Sequence, residues 1–485
     1  MIYHHLFGRP GASESVRVAV VGAGQYATAV VTQAPQTPGL DVVVVADVDL
    51  ESARRAYRAA GVDDNDVIYA ATVSDAQSAL TAGRRVVTDD GDLIAQLDGI
   101  DLVCESTGIP EASARFARDA ILNGKHVAMV TKDTDVTVGP ELKALAREHG
   151  VVYTPVDGDQ HGLLIQLVEW ARLIGLTVIA AGKATDGEFV YDPETSRVRI
   201  VTDKKIHPPA VAEVEVAAED RAWLQKVPEG RSEEYRKERA RILANLPQPG
   251  AYDLCEMTIA ANYIGFTPQV PELLHMPLRI TEIPVAYALK ENGGVIEAAG
   301  TIDLATCLRT PDEAGLGGGV WIVVRADNAY SNHIMTTKGQ IANADGTATV
   351  IYRPYHLCGV ETSTSLLAAC RLGLDTGSDD YRPRLDLVKV ANRDIAAGEV
   401  FGNDHSPQLV ARIVPVAPIA AGSPAAAHLL TGNRAAQDIS QGTLITYDMV
   451  ERPASSTLWS LREDQDRRFG VATAVSSIPS LSSVG

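Results

Sequence analysis

Residues 16–27, VRVAVVGAGQYA, run as an apolar strand into Gly22-Ala23-Gly24 and then reach a small residue, Ala27. A second apolar strand, DVVVVAD, closes on Asp47 about twenty residues later, the spacing of a dinucleotide-binding turn. Gly22 makes the tight turn, Gly24 lets the backbone approach a pyrophosphate, and Ala27 lets the following helix pack close to its strand. Gln25 and Tyr26 open that helix, whose free N–H groups and positive dipole end face the phosphates. The alternative is a Gly-rich turn in some other parallel sheet. Against it stand the strand before the turn, the uncharged helix after it (QYATAVVTQA) and the acid that ends the second strand. Asp47 would accept from both ribose hydroxyls and repel a 2′-phosphate, which favours NAD over NADP. Arg54 and Arg55 lie nearby in sequence and would offset that preference in part.

Outward from this turn, strands alternate with helices: VRVAVVG, DVVVVAD, RRVVTD, DLVCES, HVAMVT and VVYTPV. Helical stretches such as ESARRAYRAA, PEASARFARDAILNG and GPELKALAREHG lie between them. The expected fold is α/β, a Rossmann doubly wound parallel sheet over 16–155 with ligands at the carboxyl ends of its strands. Residues 156–382 mix helix and strand and predict an α+β substrate domain, also the expected oligomerisation domain. Short strands with Gly punctuation over 383–452 predict a small β-rich module. Residues 453–485, Ser-rich at the end, predict a partly disordered tail.

A chain of 485 residues is too long for one ordinary core. Its formal charge of −19 argues against nucleic acid, whose affinity rests on neutralising phosphates, and against anionic lipid. No uncharged apolar run approaches the roughly 20 residues of a membrane helix, and MIYHHLFGRPG is not a signal peptide. The five cysteines (104, 255, 307, 358 and 370) are scattered and never spaced CxxC. They read as reduced thiols in a cytoplasm. The expected partner is therefore a small-molecule substrate, with no nucleic acid and no membrane, and a homo-oligomer is expected by analogy with other proteins of this domain plan.

The densest chemistry is TPVDGDQHG, residues 154–162. If the segment is extended, Asp157, Asp159 and His161 point the same way and converge. Two carboxylates at one point need a cation or donor between them, and Mg²⁺ or Mn²⁺ is the natural choice. The competing reading is a turn whose Asp side chains cap the next helix. Lys132 follows HVAMVT at the carboxyl end of a parallel strand, where a lysine can bind a substrate oxygen and stabilise a developing alkoxide. Lys183, in IAAGKATDG, holds the same kind of place. Ser106-Thr107-Gly108 would lie beside the cofactor diphosphate or nicotinamide ribose. Arg353, His356 and Glu361 bring polar density to an apolar run, either as substrate contacts or as structural groups.

The nucleotide domain, the STG turn and the VTKD segment resemble the homoserine dehydrogenase superfamily, which implies that Lys132 contributes to the site. TPVDGDQHGLLIQ also resembles the PVDSEH stretch of the deoxyxylulose phosphate reductoisomerase family. That resemblance implies that Asp157 and Asp159 are ligands of a divalent metal, and that Lys132 matches the lysine of ANKE. KGQIANADGTATVIYRPYHLCGVET and the C-terminal module resemble homoserine dehydrogenase-like proteins with a C-terminal SAF domain, a small β-clip. That subgroup includes reductoisomerase-like enzymes and oxidoisomerases of sugar-acid metabolism. The D-x-x-G-x-D-x-x-x-K run of homoserine dehydrogenase and the N-K-x-x-E run of the reductoisomerases are both absent, so neither family's substrate carries over. The implied function is NAD(P)-dependent hydride transfer to or from a small polar hydroxy or keto substrate. The alternatives are a metal-assisted oxidoisomerase of a sugar acid or sugar phosphate, and a nucleotide-binding sensor or scaffold without turnover.

Overall fold

Val18, Val20, Val44 and Val45 lose all their solvent exposure, because strands at the centre of a parallel sheet are covered on both faces. Each such valine contributes on the order of 1.5–3 kcal/mol relative to an exposed one. In this computed structural model, which describes residues 15–202 and 212–472, the chain divides into two compact units.

Of the described residues, the first unit holds 15–162, 357–410 and 415–472. Its sheet has seven strands: β1 (Val16–Val21), β2 (Leu40–Ala46), β3 (Val67–Tyr69), β4 (Arg85–Thr88), β5 (Leu102–Glu105), β6 (His126–Met129) and β7 (Tyr153–Thr154). They lie in the order β3-β4-β2-β1-β5-β6-β7, every pair parallel. The order reverses between β1 and β5, the place where open α/β sheets take ligands. The expected doubly wound sheet is present, with one more strand than the sequence suggests. β3 is a three-residue edge strand, too short to show a pattern.

The second unit, 163–356 with 411–414, is built on a mixed nine-stranded sheet. At its centre β8 (Leu176–Ala184) runs parallel to β13 (Thr301–Arg309) and antiparallel to β14 (Val320–Ala326). The helix Ala251–Ile264 is buried at every position from Asp253 onward, the mark of a helix enclosed on all sides. Farther along the chain, β17 (Leu385–Ala391) and β18 (Leu409–Pro415) form a two-stranded sheet. Short antiparallel bridges such as Val390–Leu444 and Ile395–Ile439 surround it, as a β-rich module requires.

Two expectations need correction. Residues 357–382 were expected in the substrate domain, yet they belong to the first unit. Leu366, Leu367 and Ala369 pack in one core with Val18, Ala27 and Val30, so burial of the nucleotide domain's own apolar surface draws this segment back. The tail expected to be partly disordered is ordered in its first part. Thr457–Phe469 is a helix, capped by the Ser456 hydroxyl and anchored by buried Leu458, Trp459 and Leu461. Residues 473–485, and the lead-in over 1–14, lie outside the described residues.

Candidate active site

At the end of β1, Gly22 adopts φ +89°, and a Cβ there would fall 2.5 Å from the Ser106 carbonyl oxygen. Only glycine fits that contact. Ser106 closes the pair of turns, its hydroxyl donating to the Val21 carbonyl at 2.9 Å and reaching that of Gly22 at 3.3 Å. Gly24 differs: a Cβ there meets nothing within 4 Å, so the backbone is bare towards the outside where the helix Gln25–Gln33 begins. That helix has no side-chain cap, so its first N–H groups remain available for an anion. Ala27 is fully buried against the sheet. These residues fit a dinucleotide.

Asp47 uses its carboxylate on the turn itself, accepting from the Ala23 N–H at 2.6 Å and the Asp49 N–H at 2.8 Å. Arg54 donates to the Val67 carbonyl and Arg55 to the Ser52 hydroxyl. Thr107 donates both its N–H and its hydroxyl to Glu105, and the Gly108 N–H donates to Thr131. Glu105 was not foreseen. It is fully buried at the end of β5, and burial pushes its carboxyl up against the lowering effect of the Ser113 and Thr107 donors. The signal was an acid ending an otherwise apolar strand, VCE.

Lys132 opens the helix Lys132–Glu148 directly after β6, as expected of a residue at a strand's carboxyl end. Its side chain is 31% exposed, and Nζ lies 3.4 Å from Asp159 Oδ1. Asp159 and His161 are buried, with His161 Nδ1 3.8 Å from the same carboxylate oxygen. Among the described residues, neither buried ring nitrogen of His161 has a hydrogen-bond partner. Behind it lies Asp135, a second unforeseen acid, which accepts from Tyr153 at 2.8 Å and from Tyr381 at 3.0 Å. Burial pushes the Asp135 carboxyl up, and nearby His161 and the two phenols pull it part-way back.

The segment that carries the two acids is not extended. Residues 157–159 form a turn with Gly158 at φ +93°, and the next helix starts at Gln160. Side-chain alternation therefore does not apply. Asp159 also accepts from the Gln160 N–H at 2.9 Å, close to the capping reading. The backbone carbonyl of Asp157 accepts from Tyr26 at 3.1 Å and Thr362 at 2.7 Å, which binds the first helix and the returning segment to this turn. Among the described residues, Asp157, Asp159 and His161 do not gather their ligand atoms as a metal requires. The structure thus brings Lys132, Asp159 and His161 together through a turn.

In the second unit, Lys183 lies on β8 with its side chain 2% exposed. It pairs with Asp253 at 2.9 Å and with Glu256, two acids three residues apart on one helix face. Arg353 stacks on the Tyr355 ring at 4.7 Å, and His356 Nδ1 lies 2.6 Å from the Gly318 carbonyl oxygen. Glu361 belongs to the first unit, where it accepts from the Leu357 N–H and packs beside Gly158. The three residues expected to bind substrate are thus divided between the units.

Residues 22–155 match the family model "Homoserine dehydrogenase, NAD binding domain", 158–362 match "Oxidoreductase DRL, catalytic domain", and 388–451 match "SAF domain". The chain carries the domains of an NAD-binding oxidoreductase. Over 78 residues it is 37% identical to the 1-deoxy-D-xylulose 5-phosphate reductoisomerase of Chlorobium chlorochromatii (strain CaD3). That match covers 16% of this chain and 20% of the reductoisomerase, so it spans a small part of the relative's length. Among solved structures, the chain is similar to apo scyllo-inositol dehydrogenase from Lactobacillus casei, with 12% identity over 76% of this chain and 91% of that one and a TM-score of 0.37. It is also similar to a 3-ketoreductase from Actinomadura kijaniata in complex with TDP-benzene and NADP, at 18% identity over 37% and 50% of the two chains, with a TM-score of 0.25.

Proposed function

We propose that this protein transfers hydride between NAD(H) and a carbon of a small polar hydroxy or keto substrate. The bound nicotinamide would supply or accept the hydride. The carrying observation is Lys132: it stands at the carboxyl end of β6, partly open, with Asp159 beside it and buried His161 behind. An ammonium so placed can donate to a substrate oxygen as negative charge develops there. Asp159 would hold the lysine oriented. Gly22, Gly24, Gln25, Ala27 and Ser106-Thr107-Gly108 would receive the dinucleotide. NAD is favoured because Asp47 stands at the end of β2 while Arg54 is engaged by the Val67 carbonyl and Arg55 by the Ser52 hydroxyl.

A second reading, a metal-assisted reductoisomerase, is supported by the 78-residue relative and the match to the DRL catalytic domain. A sensor without turnover would have no use for Lys132, Asp159 and His161 side by side. The test combines NAD(H) and NADP(H) calorimetry with turnover on small hydroxy acids and sugar phosphates, before and after Lys132→Met. An enzyme of the first kind loses turnover and keeps cofactor affinity. Turnover unchanged in Lys132→Met would remove the lysine from the mechanism, and no nicotinamide binding would remove the proposal.

We also propose a reducing, cytoplasmic setting and a homo-oligomer. The scattered cysteines, never spaced CxxC, support the setting, and light scattering reads the oligomer. Among the described residues, no helix is long and apolar enough to cross a membrane.

A further inference from the structure

His428, Asp404 and Asp133 meet where the SAF module reaches the Lys132–Glu148 helix, and nothing in the hydride-transfer chemistry requires them to do so. Asp404 has an 8% exposed side chain. Its Oδ1 pairs with buried Lys389 on β17 at 2.5 Å, while its Oδ2 is buried with no hydrogen-bond partner among the described residues. His428 Nε2 lies 3.8 Å from that orphan oxygen and 3.5 Å from Asp133 Oδ1. The donor atoms of all three residues fall within 4.8 Å of one another.

The spacing separates two explanations. An imidazolium bonded to a carboxylate would sit about 2.7–2.9 Å from it. Ligands held about 2.0–2.2 Å from one cation stand roughly 3.0–3.6 Å apart, close to the separations found here. A buried acceptor oxygen with no donor is costly unless something satisfies it. We propose that Asp133, Asp404 and His428 bind one first-row divalent transition-metal ion, of the zinc, manganese(II) or cobalt(II) class. The imidazole selects these over magnesium and calcium, which prefer oxygen alone. Asp133 adjoins Lys132 in sequence, so the ion would stand close to the proposed substrate-binding lysine. The SAF module supplies two of the three ligands, which accounts for its contact with that helix. The site stands on its own geometry and does not depend on the hydride-transfer reading.

The test is calorimetry of the chelator-treated full chain with Zn²⁺, together with visible absorption of the Co²⁺ form. One site per chain is expected, with ligand-field bands of low-symmetry Co²⁺. His428→Ala and Asp404→Asn should each weaken binding roughly a hundredfold or more. Because either variant can also disturb folding, Lys389→Gln provides the converse: removing the competing ammonium from Asp404 should tighten Zn²⁺ binding. A purely structural ion network predicts no tightening. Absence of stoichiometric binding, binding unchanged in folded His428→Ala, or binding lost in Asp159→Asn instead would each overturn the assignment.

Discussion

Lys132 and Lys183 occupy the same setting in sequence, each placed after or within an apolar strand, yet the fold gives them opposite surroundings. Lys132 keeps about a third of its side chain in solvent and faces Asp159 at 3.4 Å. Lys183 is enclosed, with Asp253 and Glu256 both against it. The first arrangement leaves an ammonium able to exchange partners, as a substrate oxygen requires. The second makes the lysine part of a buried ionic cluster, where losing one charge strands the others. Position after a strand identifies where a cation lies, and burial decides whether it is free to act.

The sharpest way to break this contrast is stability. Lys183→Met should destabilise the protein by about 3–5 kcal/mol, because two buried carboxylates lose their cation. Lys132→Met should cost clearly less, because its ammonium is part-exposed and Asp159 still accepts from the Gln160 N–H. Denaturant unfolding checks both, and equal losses would end the distinction. Turnover should rank them the other way per unit of stability lost: Lys132→Met is expected to lower it about 100-fold or more with NAD(H) affinity retained.

The second unit carries a pH test of burial. Asp303 is fully buried and pushed up to about 6 by desolvation, although the N–H groups of Leu304, His275 and Leu274 donate to it. A raised acid favours folding most below its ordinary value and loses that contribution as pH rises through about 6. His275, pushed down to about 4 by burial, has the opposite slope: its contribution is present above its ordinary 6.5 and is lost as pH falls towards about 4. The two slopes oppose each other between about 4 and 6. In Asp303→Asn the acid's slope disappears, and stability should rise with pH across the histidine's window. Thermal unfolding from pH 4 to 7 reads this, and a flat profile would show that His275 is not held neutral.

Gly22→Ala extends the comparison to the cofactor turn. Its Cβ would meet the Ser106 carbonyl oxygen, so NAD(H) affinity should fall at least about tenfold, while the open position at Gly24 should tolerate alanine without folding cost. The smallest effect expected is on cofactor choice. Asp47→Asn should narrow the preference for NAD(H) over NADP(H) by about tenfold, because one repulsive charge is removed. Competitive titration of the two cofactors measures it.

Much of the first unit could be read directly from the sequence. Buried parallel strands are continuous apolar runs, and a phosphate-binding turn needs glycine at particular places, so 16–155 announced both its sheet and its nucleotide site. The SAF module was legible in the same local way, through short strands and Gly punctuation. Three-dimensional packing decided the rest. The return of 357–382 to the nucleotide core and the helix over 457–469 depend on contacts more than a hundred residues away, which no local period encodes. Asp157 and Asp159 looked convergent because alternation was assumed, and a left-handed Gly158 turned that segment instead. Asp135 and the Asp133–Asp404–His428 group were invisible singly, since an acid or imidazole acquires its role only when burial removes water and leaves the neighbouring charges to determine its state.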